Sequence, residues 1–175
     1  MKNKTKILQA SAGIFIVFVL AFASCTKEKT PAYVGNWAML GTTELGDSVV
    51  QTKGALTLNE NSFTYVMKVK TSSSSVWIDY MGQKGTLKVT GDSISIHFTQ
   101  LGVSAISENT GLPTGVITYI SEGSAGFSEI LAAMDLPAGF KGTYSITGNE
   151  LTLNLDINGD GDTNDPGETQ IYIRD

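Results

Sequence analysis

The chain has 175 residues with 19 Gly, 4 Pro, one Cys and one His, enough for one domain behind an export segment. A single Cys rules out an internal disulfide and a Cys-built metal site, and a single His rules out a His-rich one. The formal charge is −5, and it becomes −8 (9 basic, 17 acidic) once Lys2, Lys4 and Lys6 leave with residues 1–24, so no nucleic-acid partner is expected.

Residues 1–24 read as a secretion signal. Lys2, Lys4 and Lys6 make a basic start, residues 7–23 are mostly apolar, and Ala23-Ser24 places small side chains before a cut. The apolar run is shorter than the ~20 residues a spanning helix needs and is broken by Gln9 and Ser11. Cys25 follows directly. Phe-Ala-Ser-Cys at 22–25 resembles the lipobox of bacterial lipoproteins, which implies a diacylglycerol on the Cys25 thiol as the new N-terminus and a membrane partner reached through acyl chains. The expected address is the bacterial cell envelope, as an outer-membrane lipoprotein on its periplasmic face or at the cell surface. Residues 25–32 are the polar tether, and residues 33–175 the folded domain.

That domain opens with Tyr33-Val34-Gly35-Asn36-Trp37. The Gly-x-Trp is similar to the first-strand signature of lipocalins and lipocalin-like domains. The resemblance implies that Trp37 closes one end of a barrel beneath a basic residue from the last strand, and Arg174 is the candidate. Strands are expected at 49–58, 62–70, 76–81, 85–90, 93–100 and 116–121, then at 142–147, 150–156 and 169–174. The warrant is period-two alternation, as in Phe63, Tyr65, Met67 and Val69 against Thr64, Val66, Lys68 and Lys70.

A repeat supports a meandering sheet. Lys84-Gly85-Thr86-Leu87 through Gly91-Asp92 to Ile96 is matched by Lys141-Gly142-Thr143-Tyr144 through Gly148-Asn149 to Leu153, and a looser copy starts at Lys53. Each is an alternating run, a turn and a second alternating run; the turn is a Gly-containing pair in the two close copies and Asn59-Glu60-Asn61 in the looser one. Residues 101–113 lack pattern and read as a long connection. Residues 128–136 read as the one helix, capped by Ser128, with Glu129 at its positive end and Ile130, Leu131 and Met134 on one face. The fold class is therefore all-β: an antiparallel, up-and-down, lipocalin-like barrel of 8–10 strands with one short helix. The domain looks like the lipocalin-like domains of lipoproteins from Bacteroidetes-type bacteria.

Such a barrel is just wide enough for side chains or one small ligand. Val76, Ile78 and Tyr80 oppose Trp77, Asp79 and Met81, so that strand is apolar on both faces. Phe63, Tyr65, Met67, Ile78 and Tyr80 are the expected lining of a cavity for a small hydrophobic ligand. The alternative is a protein- or glycan-interaction module with a packed interior. Catalysis has little to stand on. His97 falls out of phase with Ile94, Ile96 and Phe98 and is expected on the outer surface, no Gly-x-Ser-x-Gly elbow occurs, and the protein is expected not to be an enzyme.

One further stretch carries chemistry. Asp156, Asn158, Asp160, Asp162 and Asn164 alternate through a Gly-rich segment that ends in Glu168. Oxygen ligands at alternate positions, with Gly for the sharp turn, are how one loop wraps a hard cation. The stretch resembles the Ca²⁺ loops of dockerins and thrombospondin type 3 repeats, which implies a structural Ca²⁺ on those six residues. The other reading is a solvated acidic turn.

Overall fold

A computed structural model of the chain describes residues 30–45 and 48–175. The expected signal peptide, the Cys25 acylation site and most of the 25–32 tether lie outside the described residues. Among the described residues the domain has nine antiparallel strands: β1 (Gly35–Leu45), β2 (Ser48–Leu58), β3 (Ser62–Lys70), β4 (Ile78–Thr90), β5 (Ser93–Ile106), β6 (Pro113–Ser121), β7 (Gly139–Thr147), β8 (Glu150–Asp156) and β9 (Thr169–Arg174). One helix, α1 (Ala125–Ala133), joins β6 to β7.

Eight strands close a ring in the order β4-β3-β2-β1-β9-β8-β7-β5, and β5 pairs back to β4. β5 is long enough, at 14 residues, to take different partners along one edge. Its first half pairs with β7 (Ser93↔Thr143 to His97↔Gly139) and its second half with β6 (Gln100↔Ser121 to Ile106↔Pro113). The chain is thus the all-β closed barrel that period-two patterning predicts.

The repeat explains half of the wall. β4–β5 and β7–β8 are its two close copies, with matching turns at Gly91-Asp92 and Gly148-Asn149. Gly91 and Gly148 carry φ of 63° and 62°, the first-position positive φ of a type II′ hairpin, whose twist suits the flanking strands. The copies lie side by side because β5 pairs with β7, and the Tyr144 N–H donates to the Asp92 carbonyl at 2.9 Å across the junction. The looser copy is the β2–β3 hairpin. Alternation sends Leu87, Ile94, Ile96, Phe98, Leu151, Leu153 and Leu155 inward, and all are buried. Phe98 sits between Phe63 and Phe140 in edge-to-face contacts at 6.0 and 5.2 Å, a geometry that adds about 0.5–1.5 kcal/mol per pair beyond burial.

Three expectations need correction. The two strands expected at 76–81 and 85–90 are one, β4, which bends through a register shift between Lys84 and Gly85 and starts only at Ile78. The connection expected at 101–113 is strand as far as Ile106. Gly102 and Ser104 hide the alternation, yet Leu101 and Ser104 are buried between partner strands. The helix begins three residues earlier than Ser128. Ser124 is its N-cap residue, and the Ser124 hydroxyl donates to the Ser121 carbonyl at 2.6 Å rather than taking a helix N–H; no acid lies in the first turn. Burial of Phe127 in the common core decides that start, and burial outweighs local capping preference.

Candidate functional site

At one end of the ring β1 begins, β9 finishes, and the tight turns cluster. Trp37 is only 1% exposed there. Its Nε1–H donates to the Tyr33 carbonyl at 2.9 Å, and the Arg174 guanidinium carbon lies 4.2 Å from its ring centroid. The same guanidinium donates to the carbonyls of Ala32 (2.8 Å) and Val34 (3.4 Å). Arg174 therefore clamps the incoming chain while it stacks on the indole. The expected pair, Trp37 and Arg174, is in contact and is also in register across β1 and β9.

Beyond this packed end, the core leaves a space. A cavity of about 370 Å³ lies inside the wall, lined by apolar side chains with a few polar tips. Phe63 and Tyr65 from β3 line it, as expected. Met67, Ile78 and Tyr80 do not; they are half-buried further along β3 and β4. A bulge between Met67 and Lys68 sets Met67 opposite Met81 and Lys68 opposite Asp79, which leaves Tyr80 without a partner. An extra residue of this kind shifts the side-chain phase, so the inward face of β4 is carried by Met81 and Gln83. Lining residues that alternation along β3 and β4 did not indicate come from β1 (Met39), β9 (Gln170, Tyr172) and the end of α1 (Met134, Leu136).

Local structure explains how each arrives. The side chain of Tyr65 lies across Gly54 of β2, where an added Cβ would stand 2.9 Å from the phenol oxygen, so glycine makes room for the ring. Helix α1 ends in a Schellman arrangement: the Leu136 N–H donates to the Leu131 carbonyl (3.0 Å) and the Asp135 N–H to the Ala132 carbonyl (3.3 Å), with Asp135 at φ 52°. That reversal turns Leu136 into the cavity wall. Tyr172 is buried, and its hydroxyl donates to Gln170 Oε1 at 2.8 Å. Burial raises the Tyr172 phenol well above its ordinary pKa, with a smaller contribution from Tyr65 nearby, and burial likewise raises that of Tyr65. Both are neutral at physiological pH.

The ring closes thinly beside this cavity. β1 and β9 share only two register pairs, Trp37↔Arg174 and Ala38↔Ile173. Beyond these, the β1 edge past Ala38 and the β9 edge before Ile173 have no ladder between them among the described residues. Met39 lines the cavity from one side of this gap, and Gln170 and Tyr172 from the other. On the outer face Leu40, Ile171 and Ile173 are exposed.

The acidic segment follows β8 and contributes Ile157 to the cavity lining. Its side chains are used largely on its own backbone. Asp156 accepts N–H groups from Gly159 (2.7 Å) and Gly161 (3.2 Å), Asn158 from Asp160 (2.9 Å), Asp160 from Asp162 (3.0 Å) and Asp162 from Asn164 (2.9 Å). Glu168 is 2% exposed, and its two oxygens accept the N–H groups of Ile157 (2.9 Å), Asp165 (3.1 Å) and, at 3.5 Å, Asn158. The donor set, carboxylate and amide oxygens only, has the chemistry of a Ca²⁺ loop. Among the described residues, however, no three acidic, His or Cys side chains converge on one point. His97 is on the outer face, 3.0 Å from Glu122 and half exposed.

Comparison with protein families, with curated proteins and with solved structures finds no match for this chain.

Proposed function

We propose that this is a lipid-anchored protein of the bacterial cell envelope whose barrel binds a small hydrophobic molecule. One observation carries the proposal: a cavity of about 370 Å³ inside the ring, apolar over most of its wall, within the ~300–1,000 Å³ usual for small-ligand sites. Leaving such a wall unfilled forfeits contact energy on every lining group, and an apolar occupant restores it. The lining has no Ser, Cys, His or charged side chain, which supports holding a ligand rather than transforming it. The unfilled interior also favours ligand binding over an interaction module with a packed core. The anchor is assigned to acylated Cys25, with residues 25–32 as the tether, on the lipobox pattern.

Native mass spectrometry of the protein purified from its own host is the test. A co-purifying adduct of a few hundred daltons that is lost on organic extraction is the expected result. No adduct, together with no binding of any apolar probe, would refute ligand binding. Cys25→Ser should shift the protein from the membrane fraction to the soluble one.

The acidic loop is assigned a structural part. Ca²⁺ is the ion its oxygens suit, at an affinity on the order of 10⁻⁴–10⁻³ M, added to the order Glu168 already supplies. At ten times the dissociation constant, binding to the folded form alone stabilises by about 1.4 kcal/mol, so melting should rise by about 3–6 °C. Identical melting in EDTA and in millimolar Ca²⁺ would refute the ion.

A further inference from the structure

We infer that the cavity selects an uncharged ligand with one hydrogen-bonding group, which it holds on the Tyr172–Gln170 pair, and that it rejects anionic amphiphiles such as fatty carboxylates. This assignment rests on the ligand-binding function proposed above and specifies its chemistry. At the roughly 30 Å³ that a small molecule such as water occupies in its liquid, 370 Å³ holds about a dozen non-hydrogen atoms.

The polar tips on the lining are all neutral: Tyr65, Gln83, Gln170 and Tyr172. The Tyr172 hydroxyl spends its proton on Gln170 Oε1. That leaves a Tyr172 lone pair to accept and the Gln170 amide nitrogen to donate, so a ligand hydroxyl finds both partners and a carbonyl finds the amide donor. Among the described residues the Tyr65 hydroxyl, the Gln83 amide and the Gln170 amide nitrogen have no hydrogen-bond partner, yet none of these atoms is sealed away from open space. Polar atoms in this state are sites a ligand group can satisfy.

A carboxylate fares badly in either orientation. Head inward, it meets no Lys, Arg or His along the lining, and an unpaired buried charge costs several kcal/mol. Head outward on the helix side, it meets Asp135 and the acidic segment that supplies Ile157 and Asn158 to the adjoining cleft. The protein's negative balance opposes it further.

The test measures binding of four probes of matched length, 1-decanol, decanoate, decylamine and 1-chlorodecane, to the full chain at neutral pH. The chain is held in an amphipathic polymer because detergent tails would compete. Decanol should bind at least about tenfold more tightly than decanoate or decylamine. The decanol-to-chlorodecane affinity ratio should fall about fivefold in Tyr172→Phe, the usual worth of one hydrogen bond, with the variant's melting curve showing that it folds. Decanoate or decylamine binding as tightly as decanol overturns the charge selection while leaving the cavity a ligand site. A ratio unmoved by Tyr172→Phe and by Gln170→Leu overturns the hydrogen-bonding pole. Binding of none of the four overturns the ligand-binding function itself.

Discussion

Replacing Glu168 by Gln removes a charge but almost no volume, and it isolates what the buried carboxylate does for the acidic loop. Two of its contacts are short, 2.9 Å from the Ile157 N–H and 3.1 Å from the Asp165 N–H, one on each oxygen; the third, at 3.5 Å, adds little. A glutamine has one acceptor oxygen, so its NH₂ must face one of the two backbone N–H groups, donor against donor. One charge-assisted bond is lost, at about 1.5–3 kcal/mol, and the other drops to the neutral value of about 1 kcal/mol. With Glu168 only 2% exposed, water relieves little of this. Removing one negative charge from beside Asp156 and Asp165 returns a few tenths. The net loss is about 2–4.5 kcal/mol, which corresponds to about 4–18 °C in Tm for a domain of this size. The assay is thermal unfolding of wild type and Glu168→Gln in EDTA, with backbone hydrogen exchange over residues 156–168. A drop under about 1 °C with unchanged exchange at Ile157 and Asp165 would show that the loop does not depend on the carboxylate.

Arg174→Ala should cost about 1–2 kcal/mol in urea unfolding, through the lost stacking on Trp37 and the lost bonds to Ala32 and Val34; Arg174→Lys should recover less than half, because an ammonium cannot stack and fork together. Asp135→Gly should stabilise by about 0.5–1 kcal/mol, since Asp135 holds φ 52° at the end of α1, and equal or lower stability would show that the Asp side chain repays its backbone cost. Stability should fall as pH rises above roughly 10. The buried Tyr172 keeps its proton in the fold while the unfolded chain releases it, so the stabilisation present below the unfolded pKa is lost on the alkaline side; Tyr172→Phe should flatten that limb in unfolding curves. A disulfide between Leu40→Cys and Ile171→Cys, in a Cys25→Ser background, should join the unpaired edges of β1 and β9 and slow apolar-probe exchange about tenfold. Unchanged exchange rates in the oxidised form would place the ligand's path elsewhere.

Most of the wall is legible in the local pattern, apart from the unbroken run of β4 and the continuation of β5 to Ile106. Period-two alternation needs only local backbone geometry, and the paired turns at Gly91 and Gly148 need only a residue that tolerates positive φ. Both are therefore readable one strand at a time, as was the partnership of Trp37 with Arg174 through a known first-strand pattern. What lies inside the wall was legible only in part. Phe63 and Tyr65 point inward by simple alternation, but the bulge at Met67–Lys68 shifts the phase of β4 so that Met81 and Gln83 replace Ile78 and Tyr80. Gln170 and Tyr172 share a face of β9 by simple alternation, but it is the closed ring that turns that face onto the cavity. Alternation marks Glu168 as an oxygen donor of the loop; that its two oxygens also take backbone N–H groups is visible only in the folded chain. Closure decided these matters. A cavity is the difference between the space enclosed by eight strands and the side-chain volume aimed into it, and both depend on register and bulges between residues far apart in the chain.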